Sequence, residues 1–249
     1  MKRRKRKKVT AMGLAVVMAA TVPMQVFATE GVEENTQVNE QVNEQADVTG
    51  SAVGEQTEGF SFQFDATTGT AAVTGVDTAI VIPAQTVKGG ITYKVTSVAE
   101  RAFYNNDSII SVIFEGGIKN IGNSAFEHCD SLQKVELCDS IESMGEGVFS
   151  GCSQLKEVRL SAGLKQISNR AFSGCKNLKE IQIPDAVELI NSWSFNNCTS
   201  LEKVVFSNSS MCKKIGSQAF VRCTALKNIM LSPLTERINE KAFYECSNI

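Results

Sequence analysis

Apolar residues recur at a fixed period along the second part of the chain, and a phenylalanine is the most regular of them. Consecutive members of the set are 23 residues apart, with a single interval of 25. The set consists of Phe103, Phe126, Phe149, Phe172, Phe195, Phe220 and Phe243. A fixed period between about 20 and 50 residues is typical of a solenoid, in which each repeat buries an apolar face against its neighbours. The pattern therefore predicts about seven rungs of one continuous core.

Other positions follow the same period. An apolar residue precedes each phenylalanine by five positions, and a branched aliphatic residue follows it by six. In the first six repeats a V-x-L pair then begins nine residues after the phenylalanine. A cysteine follows the phenylalanine by three in every repeat except the first, which has Asn106. The cysteines are Cys129, Cys152, Cys175, Cys198, Cys223 and Cys246. The repeat unit reads I-x-x-x-x-F-x-x-C-x-x-L-x-x-V-x-L.

Two local structures follow from this unit. The V-x-L pair alternates between buried and exposed positions, which predicts a short strand with one buried face. The segment around the phenylalanine and the cysteine is too short for a full helix. A single helical or 3₁₀ turn would direct both side chains inward three residues apart. Each rung is therefore predicted to be a short strand plus a helical or 3₁₀ turn.

The repeat resembles the leucine-rich repeat, whose period runs from about 20 to 29 residues. The version with phenylalanine and cysteine is similar to the BspA-like family of bacterial surface leucine-rich repeats, over about residues 78–249. The resemblance implies an α/β, β-rich leucine-rich repeat solenoid over residues 98–249 and a role in adhesion. The cysteine precedes the strand and no regular asparagine follows it, so the usual asparagine ladder is not expected. Because the seventh repeat stops at Ile249 before its strand, we expect the solenoid to be C-terminally incomplete.

The first 28 residues have the features of a secretory signal peptide. Seven basic residues occupy positions 2–8, an apolar run covers Ala11 to Met24, and Val26-Phe27-Ala28 has the small residues that a signal peptidase prefers. The alternative is a membrane anchor, but the apolar run is shorter than the roughly 20 residues that a spanning helix needs. We therefore predict a signal peptide over 1–28, cleavage near Ala28, no transmembrane segment in the mature chain, and a secreted or cell-surface location.

Two further segments precede the repeats. Residues 29–58 contain eight acidic residues and no lysine, arginine or aromatic residue, which predicts a disordered acidic linker. Residues 59–97 are predicted to form an N-terminal β capping segment. In this segment Phe60, Phe62 and Phe64 alternate with polar residues, Ala71 to Val76 offers a returning strand, and Ile80 to Pro83 resembles a repeat strand without its phenylalanine turn. Such a cap would cover the core residues of the first rung.

Charge and cysteine content exclude several classes of function. Loss of residues 1–28 would leave 18 basic against 27 acidic side chains, with no basic stripe, which argues against nucleic-acid binding. Eight cysteines in an exported protein suggest disulfides. However, six of them share one column, where neighbours would be about 4.8 Å apart, so reduced core thiols are predicted. Cys138 and Cys212 lie off this column and are expected to be the most reactive.

No constellation suited to catalysis or to a cofactor is evident. His128 is the one histidine and is expected at the surface, where the neighbouring Cys129 side chain would diverge from it. With one histidine and no C-x-x-C pair, a metal site is not expected. The sequence predicts no cofactor, and a protein that is not an enzyme.

The outward side chains of the repeated strands remain as the candidate binding surface. Opposite charges on adjacent rungs suggest the pairs Lys134–Glu157 and Glu136–Arg159, each contributing a few tenths of a kcal/mol. The apolar part of the surface would be Val205 and Met230, which stand among polar neighbours. The candidate partner-binding residues are Lys134, Glu136, Glu157, Arg159, Glu180, Gln182, Lys203, Val205, Asn228 and Met230. The alternative to a binding surface is a solvated sheet face.

Two functions from different classes are compatible with these features. The first is an exported, non-enzymatic binding protein whose strand face contacts a protein or another host or matrix macromolecule and mediates adhesion. The second is a structural spacer or stalk that presents a domain beyond Ile249. Loss of binding on substitution of strand-face residues, with folding unchanged, would distinguish the first from the second.

Overall fold

The computed structural model of the protein describes residues 61–65, 67–68, 70–75 and 79–249. The predicted signal peptide and linker lie outside the described residues. Seventeen short strands occur within the described residues. The strands are β1 Ser61–Asp65, β2 Thr70–Gly75, β3 Ile80–Ile82, β4 Gln85–Lys88, β5 Ile91–Val98, β6 Ser111–Phe114, β7 Asn120–Ile121, β8 Lys134–Glu136, β9 Ser143–Met144, β10 Glu157–Arg159, β11 Gln166–Ile167, β12 Glu180–Gln182, β13 Leu189–Ile190, β14 Lys203–Val205, β15 Lys214–Ile215, β16 Asn228–Ile229 and β17 Arg237–Ile238. The strands from β5 onward wind into stacked rungs, and each rung is named here after its phenylalanine.

Each complete rung contains two short strands, one before and one after the phenylalanine. The strand after it contains the central valine of the V-x-L pair, such as the buried Val135 of β8, and was predicted. From the Phe126 rung onward, the strand before the phenylalanine was missed; it includes the apolar residue five positions upstream, such as Ile121 of β7. Except between the Phe149 and Phe172 rungs, strands of consecutive rungs pair in parallel, with Val112 opposite Val135 and Ile121 opposite Met144. Identical positions therefore stack rung on rung.

The predicted helical or 3₁₀ turn is wrong, because the described residues contain no helix. Around Phe126 the amides alternate between two kinds of acceptor. Glu127 N donates back to Ser124 O at 3.1 Å, but Phe126 N and His128 N donate to Val148 O and Ser150 O of the next rung, at 2.9 and 2.8 Å. A helix directs successive amides back along its own chain. Here every second amide instead donates to a carbonyl oxygen of the next rung and so joins consecutive rungs.

A left-handed backbone at two positions per rung produces this alternation. The residues two before and two after each phenylalanine have φ between 53° and 77° in all seven rungs. Eleven of these fourteen residues are not glycine, although L side chains disfavour this region. Such residues include Arg170 and Trp193, both with φ 55°. Stacking must hold them there, since each costs of order 1–3 kcal/mol.

The phenylalanines form one continuous stack through the core. The ring centroids of consecutive rungs are 4.6 to 5.5 Å apart, and the ring planes differ by at most 19°. Phe103 to Phe220 are at most 1% exposed. Offset stacking of this kind contributes roughly 0.5–1.5 kcal/mol per pair beyond the burial of apolar area.

The cysteine column lies beside this stack, and all eight cysteines of the chain are free. Each of the six column thiols donates to the carbonyl oxygen of the phenylalanine in the preceding rung, at 3.0 to 3.2 Å.

The prediction that Cys212 is one of the most reactive cysteines is wrong. The Cys212 side chain is fully buried and continues a further core column formed by Ile118, Ile141, Leu164 and Val187. Burial raises the pKa of its thiol, which opposes reactivity. Cys138 is half-buried, with its sulfur 3.1 Å from Ser140 Oγ.

The strands before the first phenylalanine extend this arrangement. β1 pairs antiparallel with β2, which runs parallel to β5, while β4 and β5 form a hairpin. β3 pairs in parallel with β6 and thus supplies a strand of the repeat without a phenylalanine turn. The limits of the capping segment, 59–97, remain a prediction.

Candidate binding face

The strand face is the row of outward side chains on β6, β8, β10, β12, β14 and β16, together with Met230, which directly follows β16. Since side chains alternate along a strand, burial of Val135 directs Lys134 and Glu136 outward. Strand pairing aligns the predicted residues in two columns within β8 and β10 and again within β12, β14 and β16. Lys134 is opposite Glu157 and Glu136 is opposite Arg159. In the later rungs Glu180 is opposite Lys203, Gln182 is opposite Val205, and Lys203 is opposite Asn228.

The two predicted ion pairs across rungs are wrong. Lys134 Nζ pairs instead with Glu136 Oε1 in its own strand, at 2.6 Å, and this hydrogen bond raises the pKa of the lysine. Arg159 reaches past the strand, where Nη2 lies 2.9 Å from Asp139 Oδ2 and Nη1 donates to Leu137 O at 2.6 Å. The pKa of Asp139 is lowered by the amide of Ala162 and then by Arg159. The partner of a long charged side chain depends on its rotamer, and strand register alone does not determine the rotamer.

A hollow of about 510 Å³ lies over the middle of the strand face, and we name it the polar hollow because most residues that line it are charged. It extends over β8, β10 and β12, and lysine and glutamate side chains alternate around it. Its lining includes Lys134, Lys156, Glu157, Lys179 and Glu180. Lys156 and Lys179 precede their strands and were not predicted. Both signs of charge are present in similar number, so the hollow suits a polar partner of mixed charge.

An apolar hollow of about 380 Å³ lies further along the same face, over β14 and β16. Its apolar lining consists of Val204, Val205, Phe206 and Met230. Met230 is 83% exposed. Lys227 and Glu202 stand at its margin, 2.9 Å apart, and their hydrogen bond lowers the pKa of Glu202. Sequence reasoning identified Val205 and Met230 but missed Phe206, because this position belongs to the core in most rungs.

His128 and Cys129 are not arranged for catalysis. His128 is exposed, and its Nε2 atom is 4.0 Å from Glu127 Oε1. Cys129 is fully buried, and its thiol donates to Phe103 O.

No group of three or more potential metal ligands occurs within the described residues. No helix in that part of the chain has the length and apolar character to cross a membrane.

Comparison with known proteins agrees with this geometry. The BspA type leucine rich repeat region matches residues 88–188 and 154–249, in six copies. The chain therefore belongs to the BspA-type leucine-rich repeat family. No curated protein matches the sequence.

Two solved structures are similar in fold. The T. pallidum leucine rich repeat protein TpLRR is 24% identical, with a TM-score of 0.62 over 72% of this chain and 80% of that one. A leucine-rich repeat protein from Eubacterium ventriosum is 21% identical, with a TM-score of 0.62 over 72% of this chain and 48% of that one. At these identities the likeness shows the fold.

Proposed function

We propose that the protein is an exported, non-enzymatic binding protein whose strand face recognises a protein partner and mediates adhesion at the cell surface. The apolar hollow around Met230 is the observation on which this proposal mainly rests. A methionine that is 83% exposed buries little apolar surface on folding. Its flexible thioether side chain is well suited to contact with varied apolar groups. Repeat proteins commonly bind partners on such extended faces.

The two hollows would have different roles in recognition. The apolar one would hold the buried anchor of the partner, since a few apolar and aromatic contacts supply most of the binding energy at an interface. The polar one would supply specificity and orientation through charged side chains of both signs. The partner that fits is a protein surface with an aliphatic or aromatic anchor beside mixed charges.

Export belongs to the same proposal. The basic, apolar and small-residue regions of positions 1–28 support secretion, with cleavage near Ala28. The family resemblance supports a location at the cell surface. Cleavage there would leave the acidic segment 29–58 at the N-terminus of the mature chain, ahead of the capping segment 59–97 and the solenoid.

A matched pair of substitutions tests the strand face. We expect Met230→Asp and Val205→Asp to abolish binding to host cells or matrix proteins. Met211→Asp is the control, because Met211 is 39% exposed but lies outside the strand face. Thermal unfolding of each variant verifies that folding is unchanged. Equal binding by all variants would contradict the proposal, and absence of any binder would favour the spacer function.

A further inference from the structure

Both strand ladders of the solenoid stop at one junction. β10 pairs with β8, and β12 pairs with β14, but β10 and β12 belong to different sheets. The strands before the phenylalanine behave alike, since β9 pairs with β7 and β11 pairs with β13 while β9 and β11 do not pair. Both interruptions fall between the Phe149 rung and the Phe172 rung. We name this boundary the central junction.

Hydrogen bonding is correspondingly weaker across the central junction. At neighbouring junctions Gly145 N donates to Ile121 O at 2.7 Å, and Asn191 N donates to Ile167 O at 2.9 Å. At the central junction the corresponding contact comes from a side chain, because Ser168 Oγ donates to Met144 O. At the neighbouring junctions Glu157 N and Lys203 N donate to Gln133 O and Lys179 O, each at 3.2 Å, whereas in the described residues Glu180 N does not donate to Lys156 O across the central junction.

The residue at this position affects how closely rungs approach. Gly122, Gly145 and Gly216 occupy it in other rungs, where an added Cβ would lie 2.4 to 2.6 Å from backbone atoms of the preceding rung. Ser168 has a Cβ and cannot adopt that approach. Asn191 also has a side chain, but its amide keeps the bond to Ile167 O. Ser168 is therefore distinguished by its hydroxyl, which takes the acceptor that the amide would otherwise use.

The turns that contain the phenylalanines keep their contacts across the central junction, and we call this the turn side. The rings of Phe149 and Phe172 stack with centroids 5.5 Å apart. Phe149 N donates to Ala171 O at 2.8 Å, and the Cys175 thiol donates to Phe149 O at 3.2 Å. The junction is thus hydrogen-bonded along the turns that contain the phenylalanines but lacks ladder pairing between the strands of both sheets, although β10 and β12 still lie side by side.

We propose that the central junction is a hinge between two cooperative units, with β3 to β10 in the first and β11 to β17 in the second. In solenoids each repeat contacts only its neighbours, so a weak interface divides cooperativity. The polar hollow extends over β8, β10 and β12, so it straddles this hinge. A partner that fills the hollow would join the two units and fix their relative angle.

Hydrogen exchange of the purified protein tests the hinge. We expect the amides of Ser168 and Glu180 at the junction to exchange at least about tenfold faster than those of Asn191 and Lys203, their equivalents in the next rung. Phe149 N, on the turn side, should remain protected. Exchange of Ser168 and Glu180 at the rate of their equivalents would overturn the proposal.

Substitution in one unit tests the division itself. Phe220→Ala should accelerate exchange in β14 and leave β8 unchanged. Val204→Ala is a milder alternative if the first variant does not fold. Equal acceleration of β8 and β14 by either folded variant would show one cooperative unit and would refute the hinge.

Discussion

Phe195 and Phe220 belong to consecutive rungs that differ in length, yet their rings stack with centroids 5.1 Å apart and planes 1° apart. The two additional residues lie between Phe206 and Cys212, where Asn208 and Ser209 are exposed. The solenoid accommodates them in this loop because the loop is outside the stacked positions. Stacking of equivalent residues, rather than constant chain length, therefore defines the rungs.

Removal of one ring from the stack tests the continuous core. Phe195→Ala should lower the free energy of unfolding by roughly 3–5 kcal/mol, because it removes apolar area and leaves a cavity. Urea unfolding measures the loss. Lys176→Ala, at an exposed side chain, is the control and should change stability by less than about 0.5 kcal/mol. Equal losses in the two variants would contradict the stacked core.

Substitution of Gly145 tests whether consecutive rungs approach each other closely at this position. Gly145→Ala would place a Cβ 2.4 Å from Asn123 N, and the resulting overpacking should cost about 1–3 kcal/mol. Gly116→Ala is the matched control, because nothing lies within 4 Å of its added Cβ. Thermal unfolding compares the two variants. Similar melting temperatures would show that rungs are not closely packed at this position.

The left-handed positions allow a different test. Gly174 has φ +76° and only ordinary contacts at 3.6 Å around an added Cβ, so Gly174→Ala isolates the backbone cost, about 1–2 kcal/mol. Gln218→Gly, at the other kind of left-handed position, two residues before Phe220 and with φ 55°, should lose no stability. Chemical denaturation of both variants provides the comparison. A loss in Gln218→Gly with none in Gly174→Ala would contradict the turn geometry.

Sequence periodicity was sufficient for the stacked columns but not for the backbone between them. The phenylalanine, cysteine and V-x-L positions were predicted because each keeps its residue type. The strand at Ile121 was missed because one apolar residue in a two-residue strand shows no alternation. The turns were assigned as helical since spacing of three also suits a helix, whereas the left-handed residues, such as Arg170 and Gln218, share no type.

The strand face was predicted with similar limits. Register placed Lys134 beside Glu157, but the lysine bonds to Glu136 because side-chain rotamers decide among several nearby partners. Cys212 was assigned to a reactive position because the two-residue insertion before it hides its place in a core column. The hollow around Phe206 depends on a half-buried side chain at a core position, which no sequence pattern indicates.

The buried thiols predict a loss of stability at alkaline pH. Burial raises the pKa of Cys175, so the folded protein keeps this thiol protonated while the unfolded chain releases its proton above about pH 8.5. The unfolding free energy should then fall by up to about 1.4 kcal/mol per pH unit and per thiol. Cys175→Ala should show a shallower decline between pH 8 and pH 10. Identical slopes would contradict burial of the thiol in the folded state.

Site-specific photo-crosslinking tests the proposed binding face most directly. A photoreactive benzoylphenylalanine replaces Met230 in one variant and Tyr244 in another, since Tyr244 is 54% exposed but lies outside the strand face. Each protein is irradiated with host-cell surface and matrix proteins, and the adducts are identified by mass spectrometry. The proposal predicts a specific adduct at position 230 and none at position 244. Adducts at position 244 alone, or at neither position, would contradict binding through the strand face.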